Sequence, residues 1–316
     1  MPRVILLLFL SFAAAPPSFG KANLTLPGST QEILDHIYSG QNNLAIPEAR
    51  QLQEQSPDHP LGYILEAEAL WWNIWCSSAE YKFGMTMARH REKLASDQHY
   101  LELAAKARTA AQVKLKQLES AEMYFYAGMA ESLEARLYGL RWENRATARA
   151  AVHARENFTK ALVLDGELAD ADMGLGLYDY YVDTLSTMAR VLRFFMGIPG
   201  GTKENGIRLL QRAIREGQLT PAISRFYLAI NLHNYDQKYE EALRVITPLV
   251  RKYPNNPLFL LSQGDLFAKL GRKQQALEAY RAATAAAAGS DPAWHTKIEL
   301  LAGESIASVT NASGHR

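Results

Sequence analysis

The chain has 316 residues, enough for two ordinary domains or one elongated repeat array with a substantial core. Its 34 basic and 33 acidic residues leave a formal net charge of +1, which excludes a whole-chain field attracting nucleic acid or an anionic membrane. A single cysteine, Cys76, excludes an intramolecular disulfide and a cysteine-rich metal site.

The first residues are Met-Pro-Arg, then VILLLFLSFAAA, then PPSFGKA: a basic start, an apolar run and small residues near a cut. This is the layout of a secretory signal peptide over 1–20, with cleavage after Gly20 or Ala22. The apolar run is shorter than the ~20 residues that span a bilayer, so the expected product is exported, periplasmic or otherwise extracytoplasmic, and soluble. A helical domain over 21–303 and a flexible polar tail over 304–316 are expected to follow.

SGQNNLAIPEARQLQEQSPDHP places Gly40 at a turn, Ala45, Ala49 and Leu52 on a buried helix face, and Pro57 at a helix end, with Pro47 in the first helical turn. GYILEAEALWWNIW and the run from Tyr100 to Leu140 carry apolar residues at three- and four-residue spacing with few breakers, and read as oversized helices. Cys76, beside three tryptophans, reads as a small buried residue. Between these helices MARHREKL carries Arg89, His90, Arg91 and Lys93; it reads as a solvated charged face, with an acidic partner or anionic headgroup as the functional alternative.

Ala154, Phe158 and Ala161 repeat the buried pattern, with Gly166 in the proline's place. In KYEEALRVITPLVRKYPNNP, Ala242 precedes Pro254 by twelve residues, and Ala276 follows Ala242 by thirty-four. Thirty-four is the tetratricopeptide period. In the last unit Gly264 takes the small position of a first helix, Phe267 the aromatic position, Gly271 the turn, and Ala276, Tyr280 and Ala283 the second helix's buried face. The expected fold is therefore all-α: a TPR-like right-handed solenoid of about five helical hairpins, with strand signals nearly absent, because no Asn-Gly or Asp-Gly turn joins alternating runs.

Gly176 and Gly206 suit the paired small positions of one hairpin but lie thirty residues apart instead of twelve, which marks an insertion at about 184–203. Its glycine-rich end, FFMGIPGGTKENG, lacks phosphate-loop order: Thr202 separates Gly201 from Lys203, and Glu204 stands where a hydroxyl belongs. Residues 174–210, GLGLYDYYVDTLSTMARVLRFFMGIPGGTKENGIRLL, resemble a segment of the tetratricopeptide repeat protein 39 family, which includes the Iml2-like proteins. The resemblance implies an all-helical repeat protein and transfers no catalytic residue.

The candidate partner or ligand groove consists of Trp71, Trp72, Trp75, Tyr178, Tyr181, Asp183, Phe194 and Phe195. Aromatic rings offer contact area at low entropic cost, although inter-helix packing is their commoner role. Trp71 and Trp72 point in different directions on a helix, so at least one is expected to face a groove or solvent. Asp179 and Asp183 share a helix face, as an acid pair or as a cap. The eight histidines form no HExxH pair. No catalytic residue, cofactor or metal is therefore expected. The first functional reading is an exported, non-catalytic scaffold whose groove binds a protein or extended peptide. The alternatives are a small-ligand or glycan receptor around Tyr178–Asp183 and peripheral membrane contact through the insertion, where Val191, Leu192, Phe194, Phe195, Met196 and Ile198 surround Arg190 and Arg193.

Overall fold

Small residues at the predicted close-approach positions let helices pair tightly. The computed structural model describes residues 24–186 and 198–311. Its first helices are α1 Thr30–Tyr38, α2 Asn42–Gln55, α3 Pro60–Ser77, α4 Ser96–Gln117, α5 Ala121–Leu140 and α6 Asn144–Leu164. They continue as α7 Ala171–Thr184, α8 Lys203–Glu216, α9 Pro221–Asn234, α10 Tyr239–Lys252, α11 Pro257–Lys269, α12 Lys273–Ala287 and α13 His295–Asn311. Each odd helix pairs with the next even one, and each even helix packs on the following odd one, giving six stacked hairpins and a closing helix among the described residues. The fold is a TPR-like helical solenoid. None of these helices is long and apolar enough to cross a membrane.

Local chemistry sets the helix starts. Pro60, Pro221 and Pro257 occupy first-turn positions, and the Asn256 side chain accepts from Leu258 N at 2.9 Å and Phe259 N at 3.2 Å. Glycines set the depth of pairing. A methyl group on Gly206 would lie 2.7 Å from Gly176 O and 2.8 Å from Tyr180 N, so α7 and α8 cross backbone to backbone where the two glycines were matched. Phe158 of α6 fills the space over Gly128 of α5 and Gly174 of α7, stitching three helices together.

The solenoid closes on itself. Trp72 of α3 meets the rings of Phe226 on α9 at 4.9 Å and Phe259 on α11 at 5.5 Å. Around this contact Asn256 Nδ2 donates to Tyr38 O at 2.9 Å, Tyr253 OH to Asp35 Oδ1 at 2.9 Å, and Trp294 Nε1 to Asn73 Oδ1 at 2.7 Å. The first hairpin and α3 thus lie against the last helices.

Several expectations are corrected. The linker between α3 and α4 forms an antiparallel hairpin, β1 Ala79–Lys82 and β2 Met85–Ala88. Its two-residue turn is Phe83-Gly84, with φ of +55° and +72°, so the strong Asn-Gly signal was absent. The oversized helices read over Tyr100 to Leu140 are present as α4 and α5, of 22 and 20 residues, with the break at Ser120, whose Oγ accepts from Met123 N at 3.4 Å. Pro47 lies one turn deeper in α2 than expected, and α6 ends at Asp165 in extended backbone rather than at a left-handed glycine. The segment expected to be a tail from 304 continues as α13 to Asn311, with Ser305 buried. Residues 1–20, assigned to the signal peptide, and 187–197 of the insertion lie outside the described residues.

Gly206→Ala should lower stability by about 1–3 kcal/mol, because a methyl group there meets backbone that cannot swing aside. Gly303→Ala, within α13 and facing open space, should raise it by about 0.5–1 kcal/mol. Urea midpoints of the two variants check the pair.

Candidate interaction site

The three tryptophans are buried, and both adjacent ones are covered, contrary to the expectation that one faces a groove. The cause is the position of α3, which has neighbours on all sides. Trp72 and Trp75 point to Phe226, while Trp71 lies against Tyr100 under the Arg136 guanidinium, 4.5 Å from its ring centre. Arg136 donates to Glu68 Oε2 at 2.7 Å and to Tyr100 OH at 3.2 Å. Desolvation works against the Arg136 charge, but Glu68 and the phenols of Tyr100 and Tyr227 outweigh it and raise its pKa. Desolvation also raises the half-buried Tyr227 phenol. The chain's own side chains therefore fill the space where an extended peptide would lie across α3, α9 and α11. Burial pushes the Cys76 thiol up to about 12, which keeps it protonated.

The second candidate cluster is tied to the glycine loop. Tyr178 is buried and its OH donates to Pro199 O at 2.8 Å. Tyr181 OH donates to Asn231 Oδ1 at 3.0 Å, and burial raises its pKa. Asp183 Oδ2 accepts from Lys203 N at 3.0 Å, placing a carboxylate at the α8 N-terminus, where the helix dipole favours it. Asp179 accepts from Asn205 Nδ2, so the two aspartates staple α8 to α7. Lys203 Nζ donates to Asp236 Oδ1 at 2.6 Å. The groups a phosphate would use are engaged within the chain. Phe194 and Phe195 lie outside the described residues, and among the described residues no group of three His, Cys, Asp or Glu could hold a metal ion.

What the sequence reading missed lies at one end of the solenoid. Alternation of helix direction gathers four odd-to-even connections there: the β-hairpin, the α5–α6 turn, the described ends of the α7–α8 segment and the α9–α10 turn, whereas the α1–α2 turn at Gly40 lies against Pro257 and Ser290. Phe83 is 83 % exposed and Trp142 60 % exposed, with Tyr235 and Leu185 exposed on the neighbouring turns. Phe83 and Trp142 have φ of +55° and +61°. At Trp142 the departure is measurable against the same chain: the matching turns after α1 and α11 use Gly40 and Gly271, with φ of +78° and +70°. Each of these three turns has the 6→1 bond of a helix-ending loop, Gln41 N to His36 O, Glu143 N to Tyr138 O and Arg272 N to Phe267 O, all 2.9 Å. Trp142 stands where two sister turns place glycine.

The charged run beside these rings is anchored from below. Buried Arg141 grips Asp97 through Nε at 2.7 Å and Nη2 at 2.8 Å, and its Nη1 donates to His90 O at 2.8 Å. Arg91 stacks on Trp142 at 3.1 Å from the ring centre, and Arg89 lies 5.9 Å from that of Phe83. Lys82 pairs with Glu80 and Lys93 with Glu143. Arg89 and Arg91 have no carboxylate partner among the described residues. The hairpin is fixed to α11 by Asp265, which accepts from Thr86 N at 2.6 Å and from Tyr280 OH at 2.9 Å, while Lys269 Nζ holds Phe83 O at 2.6 Å.

No family model and no curated protein matches the chain. Among solved structures it is similar to the C-terminal part of a TPR repeat-containing protein from Cytophaga hutchinsonii, with 12 % identity, 82 % of this chain and 80 % of that chain covered, and a TM-score of 0.36. The repeat assignment rests on the helix pairs themselves.

Three outcomes follow from these geometries. Lys203→Ala, which strips the partly buried Asp236 of its cation, should lower stability by about 1–3 kcal/mol. ATP with magnesium should leave the melting temperature of either protein unchanged. Burial raises the Asp265 carboxyl from 3.8 to about 7, so the folded chain holds this proton more tightly than the unfolded chain. That stabilisation is complete below pH 3.8 and is lost as pH rises through about 7. Melting curves between about pH 5 and pH 8 should show the decline in wild type and a flatter profile in Asp265→Asn.

Proposed function

We propose that this chain is a non-catalytic interaction scaffold, acting outside the cytoplasm after loss of its leader, and that it docks another protein on the odd-to-even turn end. TPR-like solenoids generally serve protein–protein interaction, and the layout of residues 1–20 supports export. One observation carries the choice of face: two large aromatic residues are held exposed in left-handed backbone. For residues other than glycine that conformation costs about 1–2 kcal/mol, and little burial offsets it here. A contact outside the chain accounts for keeping them. The groove reading of Trp71, Trp72 and Trp75 is not supported, because those rings pack the interior. The receptor reading around Tyr178–Asp183 is not supported either, because those groups bind Pro199, Asn231 and Lys203.

Phe83→Asn installs the Asn-Gly pair that such a turn favours and should stabilise the fold by about 0.5–1 kcal/mol while weakening docking. Photo-crosslinking from positions 83 and 142 in envelope-intact cells checks the face, with exposed Val163 in the last turn of α6, next to an even-to-odd connection, as the control. The expected result is one common adduct from 83 and 142 and none from 163. Equal adducts from all three positions would refute the choice of face.

A further inference from the structure

The docking face has a chemistry that selects among partners, and the inference below rests on the reading of that face. Arg89 and Arg91 are two residues apart on the segment that follows β2, and each presents its guanidinium beside an exposed ring. Stacking engages the flat face of a guanidinium and leaves its N–H edge available, which is the geometry that meets a carboxylate with two parallel hydrogen bonds. Arg89 Nε is buried, so the edge this arginine offers to a partner is that of its two Nη groups, which still carries two parallel N–H donors.

We infer that the partner is an acidic polypeptide segment whose carboxylates engage the Arg89 and Arg91 forks, while apolar side chains beside them cover Phe83 and Trp142. The local charge balance favours this occupant over an anionic membrane. Glu80, Glu92 and Glu143 stand beside Lys82, Arg89, Arg91 and Lys93, and the lysines are already paired. A membrane surface responds to summed positive charge, which is low here, whereas a peptide carboxylate responds to two oriented forks. Tryptophan, tyrosine and arginine together are also the composition of energetic centres at protein interfaces.

The test is selection of a random peptide display library on the full chain, followed by affinity measurements with the best synthetic peptide. Enriched peptides should carry Asp or Glu next to a large apolar residue. Affinity should fall about tenfold or more in Arg89→Gln/Arg91→Gln, and nearly as far in Arg89→Lys/Arg91→Lys, which keeps the charge and loses the fork. Changing the peptide's acids to amides should have the same effect, and Lys82→Gln should have little. Unchanged melting curves of the arginine variants establish that they fold; Trp142→Ala provides an independent probe that leaves both charges in place, and it too should weaken binding.

Enrichment without acidic residues, no enrichment at all, or binding indifferent to both arginine pairs would overturn the inference. So would co-sedimentation with phosphatidylglycerol-containing phosphatidylcholine vesicles that depends on Phe83 and Trp142, in the absence of acidic peptides. If crosslinks form from positions 83 and 142 while the peptides are not acidic, the docking face stands and only the partner's chemistry is wrong. If crosslinks are absent, the face itself is wrong.

Discussion

Trp72 sits against Phe226 and Phe259, and that contact decides what kind of solenoid this is. In an open repeat array each unit touches only its neighbours, so stability is a sum of local terms. Here a ring from the second hairpin is buried among rings from the fifth and sixth. Fully buried aromatic side chains each contribute on the order of 3–5 kcal/mol when judged by truncation, so the closing contact is large beside the marginal stability of ordinary domains. It also makes the chain's two ends depend on each other, through Tyr38, Tyr253, Asn256 and Trp294.

On the proposed reading, closure moves recognition outward. With α3 covered by its neighbours, Trp71, Trp72 and Trp75 offer no wall to an extended peptide, and the docking face we propose lies instead on the turns. The two ends of the hairpins are not equivalent. One carries the elaborations: a β-hairpin, an insertion, and a tryptophan where sister turns have glycine. The scaffold beneath those elaborations is rigid, with Arg141 locked to Asp97 and the hairpin pinned by Asp265 and Lys269. Exposed rings on a rigid base lose little side-chain freedom on docking, which is the condition for useful affinity from a small contact.

The repeat architecture was legible because its signal is steric and local. Ala242, Ala276, Gly176, Gly206 and Gly264 all lie at close approaches, since only small residues fit there. Gly176 and Gly206 even revealed the insertion, although the residues between them are partly outside the described structure. The fate of the tryptophans was not legible, because Trp72 is covered by rings of α9 and α11, more than a hundred residues away, and Trp71 by Tyr100 and Arg136 on α4 and α5. Nor was the β-hairpin: its strands are four residues long, its turn uses Phe83, and tertiary bonds to Asp265 and Lys269 support it. Trp142 could have been noticed by aligning LYGLRWEN with the turns at Gly40 and Gly271, where the register calls for glycine.

Closure itself is most directly tested by a double-mutant cycle on Trp72→Ala and Phe226→Leu. Residues in contact show coupling of about 0.5–3 kcal/mol, whereas distant, independent sites add within about 0.3–0.5 kcal/mol. The account predicts coupling in the first range, because each ring forms part of the other's wall. Additive losses would contradict it and would describe an open array whose ends unfold without reference to each other.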